Sequence, residues 1–493
     1  MKKIIAFIAL SIFTFNSQMF AGGFEVKLTV KGLKDTTCQL AYYFGEKQYI
    51  KDSARVDKNG VMIFKGEEEL PGGIYLAVMP NKRYFELIID KEQKFSMETD
   101  TADYINNMKV KNSKDNEIFY EYLKWISIKG KSIEALKAES DIAKDDAAKT
   151  KEIKDKQIAI DKEVKEYKLN FIKQNPASML AKVFEASTDP EIPEAPLLPN
   201  GKKDSTFAFR YYKAHYFDKI DMKDDRLLRS PVFGNKIKQY LERLTAQIPD
   251  SINAAADKMI SLTNPTGEIF KYLVYYITNT YEKSNIMGMD AVFVYMAKNY
   301  YLSGKAYWVE EAQQEKICDR VKALDPCLIG RKANNMRLLK NDFHPIALSD
   351  IKTKYTIVYF WDPSCGHCQK VTPQLKTFYD KYKKDLDVEV LGVYIEADTT
   401  EWFKYIKEKE LNWINAADLL GTAQFRKYYD IYSTPVAFLL DNEKRIIAKR
   451  IEVEQLEDFI KNHSQGKVVV PKLPDLIPFP CKPSDPSKEK SGH

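Results

Sequence analysis

Cysteine is scarce in this chain: six residues in 493, too few for a scaffold held together by disulfides. Charge of a single sign is missing as well. Charged residues make up 30% of the sequence, yet the net charge is only +6. The two signs are therefore interspersed, which argues against a dedicated nucleic-acid binder, and no nucleic-acid partner is expected. Past the N-terminus, no apolar run approaches the roughly 18–20 residues that cross a membrane. No glycine-rich nucleotide fingerprint occurs. His215, His344, His463 and His493, taken with Cys318 and Cys327, show no close ligand spacing, so neither a metal nor a bound cofactor is expected. A clean internal repeat of solenoid length is also lacking.

The first residues are of a different kind. Met1, Lys2 and Lys3 form a basic start, residues 4–15 are apolar, and residues 17–21 end in the small Ala21. This pattern predicts a cleavable secretory signal over 1–21, and export to the periplasm. No cysteine follows the apolar stretch, so a lipid anchor is not expected. Export would place the chain where disulfides persist. Cys318 and Cys327 are close enough to bridge a local loop, or equally to be two buried thiols. Cys38 and Cys481 have no obvious partner, and the sequence leaves their pairing open.

Residues 22–112 read as an antiparallel β domain. Phe24, Val26, Leu28 and Val30 alternate with polar residues, and further short apolar runs follow, punctuated by Asp57-Lys58-Asn59-Gly60 and Pro71-Gly72-Gly73. From 113 to 330 the pattern turns helical. Residues 132–169 are crowded with Lys, Glu, Asp and Ala over a thin apolar stripe, as in a long solvated helical hairpin. Residues 189–204 carry four prolines and read as a loop. From 331 to 468 strands and helices alternate as in an α/β layer structure. A Pro-rich, then polar, tail occupies 469–493.

The chemistry concentrates in Trp361-Asp362-Pro363-Ser364-Cys365-Gly366-His367-Cys368, directly after the apolar run 355–360. A buried strand would deliver Cys365 to a helix N-terminus, whose unpaired N–H groups and dipole stabilise a thiolate. Cys368, one turn further on, would be shielded and suited to resolving a mixed disulfide. Half of a zinc site is the competing reading of this spacing, but a second ligand pair is lacking. His367 can favour the Cys365 thiolate, which would make the disulfide the better oxidant; otherwise it is an exposed residue of little effect. Gly366 completes the dipeptide between the cysteines. Pro373 falls inside the helix, where it predicts a kink. Thr434-Pro435 precedes the apolar run 436–440 and predicts a cis bond opposite the motif. Trp361 is expected to pack beside the cysteines.

These residues resemble the exported thioredoxin-like reductases of the TlpA type. The likeness rests on Leu328-Ile329-Gly330, residues 346–350, Phe360-Trp361, Cys365-Gly366-His367-Cys368, Thr372-Pro373 and Ser433-Thr434-Pro435. The β segment followed by helices looks like the multidomain members found in Bacteroidetes-type bacteria. The resemblance implies a thioredoxin-like C-terminal fold and thiol–disulfide oxidoreductase activity outside the cytoplasm. It makes Cys365 the nucleophile and Cys368 the resolving thiol, with protein thiols or disulfides as substrates. A membrane redox partner would recycle the pair. Disulfide isomerisation is the alternative, suggested by the Gly-His dipeptide; a periplasmic binding or adaptor protein with a redox-responsive module is another. Two positions depart from the pattern. Thioredoxins proper carry a buried Asp where this chain has Tyr359, and cytochrome-maturation reductases often carry a Glu where it has Val371. Glu396 is a candidate substitute acid.

Overall fold

Period-two alternation builds the N-terminal sheets. The computed structural model describes residues 22–144, 146–476 and 481; the expected signal over 1–21 and the last residues of the chain lie outside them. The chain divides into two compact units, Met1–Gln239 and Tyr240–His493.

In the first unit the strands are β1 (Phe24–Lys31), β2 (Thr36–Phe44), β3 (Lys47–Val56), β4 (Val61–Gly66), β5 (Gly73–Val78), β6 (Tyr84–Ile89), β7 (Lys94–Asp100) and β8 (Lys109–Lys111). They form two four-stranded sheets, ordered β4-β1-β7-β8 and β3-β2-β5-β6. Pairing is antiparallel except between β1 and β7. Val26, Leu28 and Val30 of one sheet and Leu40, Leu76 and Leu87 of the other share one apolar core, the mark of a sandwich.

Helices α1 (Lys114–Ile142) and α2 (Ala147–Gln174) form the hairpin that the charged stretch predicts. Ser113 and Asp146 cap their N-termini by accepting backbone N–H groups. The hairpin buries little. Its firmest contact near the base is Trp125 stacked on Tyr167, with ring centroids 4.3 Å apart. Shorter helices α3 (Met179–Ala186) and α4 (Phe207–Ala214) follow, and α5 (Phe233–Glu242) runs across the boundary between the units.

The second unit opens with helices α6 (Pro249–Ser261), α7 (Glu268–Glu282), α8 (Asp290–Met296) and α9 (Glu311–Leu324). A π-helical turn, Ala297–Tyr301, continues α8. The wider turn lets Tyr295 and Tyr300 both donate to the Asp257 carboxylate.

The remaining elements are β9 (Arg337–Lys340), β10 (Pro345–Ala347), β11 (Tyr355–Trp361), α10 (Gly366–Tyr382), β12 (Val388–Tyr394), α11 (Thr400–Glu408), β13 (Ile414–Ala417), α12 (Phe425–Tyr429), β14 (Val436–Leu440), β15 (Ile446–Lys449) and α13 (Val453–Ser464). Their strands make one seven-stranded sheet, β10-β9-β13-β12-β11-β14-β15. β11 lies parallel to β12 and antiparallel to β14, and separate apolar clusters pack against the sheet. This is a thioredoxin-like α/β arrangement.

The Pro-rich segment expected as a tail does not leave the fold at once. Through residue 476 it lies against this unit: Leu473 N–H donates to Gly330 O at 3.1 Å, and Arg445 donates to Leu473 O at 3.2 Å. Gly330 is required there. Its φ is +91°, and a Cβ would sit 2.0 Å from Pro471 O. Cys481 is disulfide-bonded to Cys318, 163 residues away, with Cα atoms 5.7 Å apart. The short Cys318–Cys327 bridge is thus not formed. Cys327 and Cys38 are buried thiols.

Candidate functional site

β11 is buried at every one of its seven positions, because neighbouring strands flank it and apolar layers cover both faces. It therefore points its C-terminal end at one fixed place. There Asp362 organises a tight turn: Ser364 N–H donates to its carboxylate at 2.9 Å and Cys365 N–H to its carbonyl at 3.1 Å. Gln369 closes the turn from α10 by donating to Pro363 O at 2.9 Å. Cys365 is the N-cap residue of α10, in extended conformation. Its sulfur is half-buried and donates to Thr434 O at 3.3 Å. Cys368 lies inside the helix, fully buried. Both are thiols in this structure.

Their environments push the two thiols apart. Burial raises Cys365, but backbone N–H groups of Cys368 and His367, with contacts to Thr434 and the Cys368 side chain, outweigh it and hold the thiol below its ordinary value. For Cys368, burial dominates and pushes it up to about 11. A lowered, accessible thiol and a raised, buried one on a single helical turn are what sequential thiol exchange requires.

Two distant segments meet here. The Thr434–Pro435 peptide is cis, and both residues are half-buried beside Cys365. Gly366 and His367 face solvent; for His367 it is the backbone N–H that faces the Cys365 sulfur. Pro373 lies within α10 as expected, further along than the cysteines. Trp361 is fully buried, stacked parallel to Tyr359 and tilted against Tyr405, with centroids 6.4 and 5.4 Å away. Gly392 of β12 makes room for two indoles, since a Cβ there would stand 2.8 Å from Trp413 Nε1 and 3.3 Å from Trp361 Nε1.

Sequence reading missed the hydroxyl pair beneath the site. Tyr359 and Thr372 are both buried and hydrogen-bonded at 3.0 Å, with Thr372 one turn beyond Cys368 on α10. Burial drives the Tyr359 phenol well above its ordinary value, so it stays neutral. The only signal was Tyr359 standing where an acid was looked for. Glu396, the candidate acid, is half-exposed and pairs with Arg426 at 3.3 Å. Among the described residues no group of three His, Cys, Asp or Glu side chains is placed to hold a metal ion.

A family model described as thioredoxin-like matches residues 353–446. Two domains of unknown function, DUF4369 and DUF5106, match 24–119 and 147–325. The thiol-disulfide oxidoreductase ResA of Bacillus thuringiensis subsp. konkukian (strain 97-27) is 30% identical over 138 residues, covering 27% of this chain and 77% of the relative. ResA of Bacillus subtilis (strain 168) is 27% identical over 118 residues, or 24% of this chain and 64% of that one. Among solved structures, a domain of a possible thiol-disulfide isomerase from Cytophaga hutchinsonii ATCC 33406 is 39% identical. It covers 28% of this chain and 95% of that domain, with a TM-score of 0.27. Thioredoxin-like oxidoreductases work through a cysteine disulfide and act on protein thiols. With a ResA relative 30% identical and covered over 77% of its length, and a thioredoxin-like match over 353–446 that contains the two cysteines, the chain belongs to the thioredoxin-like thiol–disulfide oxidoreductases.

Proposed function

We propose that this oxidoreductase works outside the cytoplasm and exchanges disulfides with polypeptide substrates through Cys365 and Cys368. The Cys365 thiolate attacks one sulfur of a substrate disulfide, forms a mixed disulfide and releases the other substrate sulfur as a thiolate. Cys368 then attacks Cys365 Sγ, closes the Cys365–Cys368 disulfide and releases the second substrate thiol. Two electrons pass to the substrate, and a membrane partner that reduces the Cys365–Cys368 disulfide restores the dithiol. The reverse sequence oxidises a substrate dithiol. His367 favours the thiolate, Thr434 and Pro435 line the approach, and Trp361 and Gly366 keep the turn in shape.

The observation that carries this reading is the opposed pair of thiols, Cys365 lowered and half-exposed, Cys368 raised and buried. The basic, then apolar, first residues support export, and no helix of the described residues is long and apolar enough to cross a membrane.

Equilibrium titration against defined thiol buffers tests both the centre and its direction. A two-electron couple near about −270 mV or lower makes it a reductant, and one near about −180 mV or higher an oxidant or isomerase. A Cys368→Ala variant should accumulate mixed disulfides through Cys365. Absence of both results removes the exchange reading.

A further inference from the structure

Asp430 ends α12 in the left-handed conformation, with φ +53°, an arrangement non-glycine residues adopt at a cost. Its side chain is only 2% exposed, yet it is a carboxylate. Such a group must be paired, and two arginines serve it. Arg320 Nη1, from the middle of α9, donates to Oδ1 at 2.6 Å, and Arg450 Nη2 donates to Oδ2 at 3.2 Å. The first is the firmer: the Arg320 side chain is 32% exposed against 62% for Arg450, so solvent screens it less.

The position of this carboxylate gives it reach. Asp430 lies five residues before Pro435 and opens the segment that runs past the Cys365 sulfur. It borders a cavity of about 280 Å³ on the α9 side, where Cys327 and Lys449 also lie. It borders a second cavity, of about 230 Å³, lined by Val371 and Leu375 of α10, Tyr432, Pro435, and Val453 and Leu456 of α13. The second is a groove of mixed character, with Asp430, Arg450 and Glu452 also in its wall. Its Pro435 follows Thr434, whose carbonyl meets Cys365 Sγ, and the exposed Tyr432 ring lies at its rim. A second link ties the same layers, as Lys449 of β15 donates to Cys327 O at 2.9 Å and pairs with Asp290 of α8.

We propose that Arg320 is a positioning residue for disulfide exchange. Through Asp430 it holds the segment 430–435, and with it the groove that receives the client polypeptide. The helical layer then acts as a brace for substrate binding by the thioredoxin-like region. This rests on the reading of Cys365 as the attacking thiol beside that groove.

The test is single-turnover exchange between the reduced full chain and either insulin, a polypeptide disulfide, or 5,5′-dithiobis(2-nitrobenzoate), too small to need the groove. Arg320→Gln should raise the half-saturating insulin concentration about 3–10-fold, the range of one charge-assisted contact. The limiting rate, the rate with the small disulfide and the reduction potential should stay unchanged, and Arg320→Lys should recover most of the loss. Asp430→Asn, an isosteric change, should reproduce the effect and add nothing to Arg320→Gln; it carries the test if Arg320→Gln does not fold. Unaltered insulin saturation in the folded variants, equal losses on both disulfides, or no recovery with lysine overturns the proposal. Wild-type protein that exchanges with neither disulfide overturns instead the functional reading beneath it.

Discussion

Strands β11 and β1 are built from similar β-branched and aromatic residues, yet they do opposite things. β1 alternates, with Phe24, Val26, Leu28 and Val30 inward and Glu25 and Lys27 exposed. β11 is buried at every position. A strand with a wet face is held by one layer of contacts. A strand enclosed on both faces has its direction fixed from both sides, so its end can aim a reactive group. The turn after β11 carries Cys365, whereas the turn after β1 carries Gly32, at φ +89°. On the proposed reading, the attacking cysteine of this chain sits where enclosure is most complete.

The largest effect that would sharpen this contrast is loss of the aimed sulfur. Cys365→Ser should lower exchange by about 10³-fold or more, because the hydroxyl is a poor nucleophile at neutral pH, while unfolding curves stay in place. Alkylation should show the same asymmetry across pH. With Cys365 below the ordinary thiol value and Cys368 pushed up to about 11, iodoacetamide should label Cys365 alone through neutral pH in the reduced protein. Labelling of both at one midpoint would break the division of roles. The raised thiol also has a stability consequence. Folding holds Cys368 protonated, so the reduced fold should lose stability as pH rises from the ordinary thiol range through about 11.

Enclosure itself can be attacked next. Ile357→Ala, at a fully buried position of β11, should cost about 2–5 kcal/mol. Lys27→Ala on the exposed face of β1 should stay within about 0.5 kcal/mol. Denaturant midpoints for each unit check both, and equal costs would erase the distinction.

How much of this was legible follows the same line. Residues 355–360, the Cys-x-x-Cys and Thr434-Pro435 were readable because a dry strand, a helix start and a proline each leave a local mark. β3 was not, since its first seven residues are exposed or nearly so and show no apolar alternation. β9, β10 and β13 are three or four residues long, too short for a period to register. Asp430 is a single acid in a polar stretch, and only the fold brings Arg320, 110 residues earlier, to it. The Cys318–Cys481 bond spans 163 residues, and pairing at that distance leaves no trace in spacing. Its removal by Cys318→Ser with Cys481→Ser should cost about 2–4 kcal/mol in the second unit, read as a lower denaturant midpoint. The first unit's midpoint should not move.

The smallest expected effect concerns His367, and it asks how much of the thiolate's stability comes from side chains at all. The imidazole is exposed, whereas the backbone N–H groups of His367 and Cys368 face the Cys365 sulfur directly. Backbone donors at a helix start are fixed by the fold and lose nothing to rotamer freedom, while an exposed ring is screened by water and salt. Removing the ring leaves the donors in place. His367→Ala should therefore make the Cys365–Cys368 couple more reducing, because a thiolate-stabilising group has been lost, but by no more than ~20 mV, the equivalent of about 1 kcal/mol in a two-electron couple. Titration of both proteins against the same thiol buffer at two salt concentrations measures it. A shift several times larger would mean that the ring, and not the helix start delivered by β11, sets the potential of the centre.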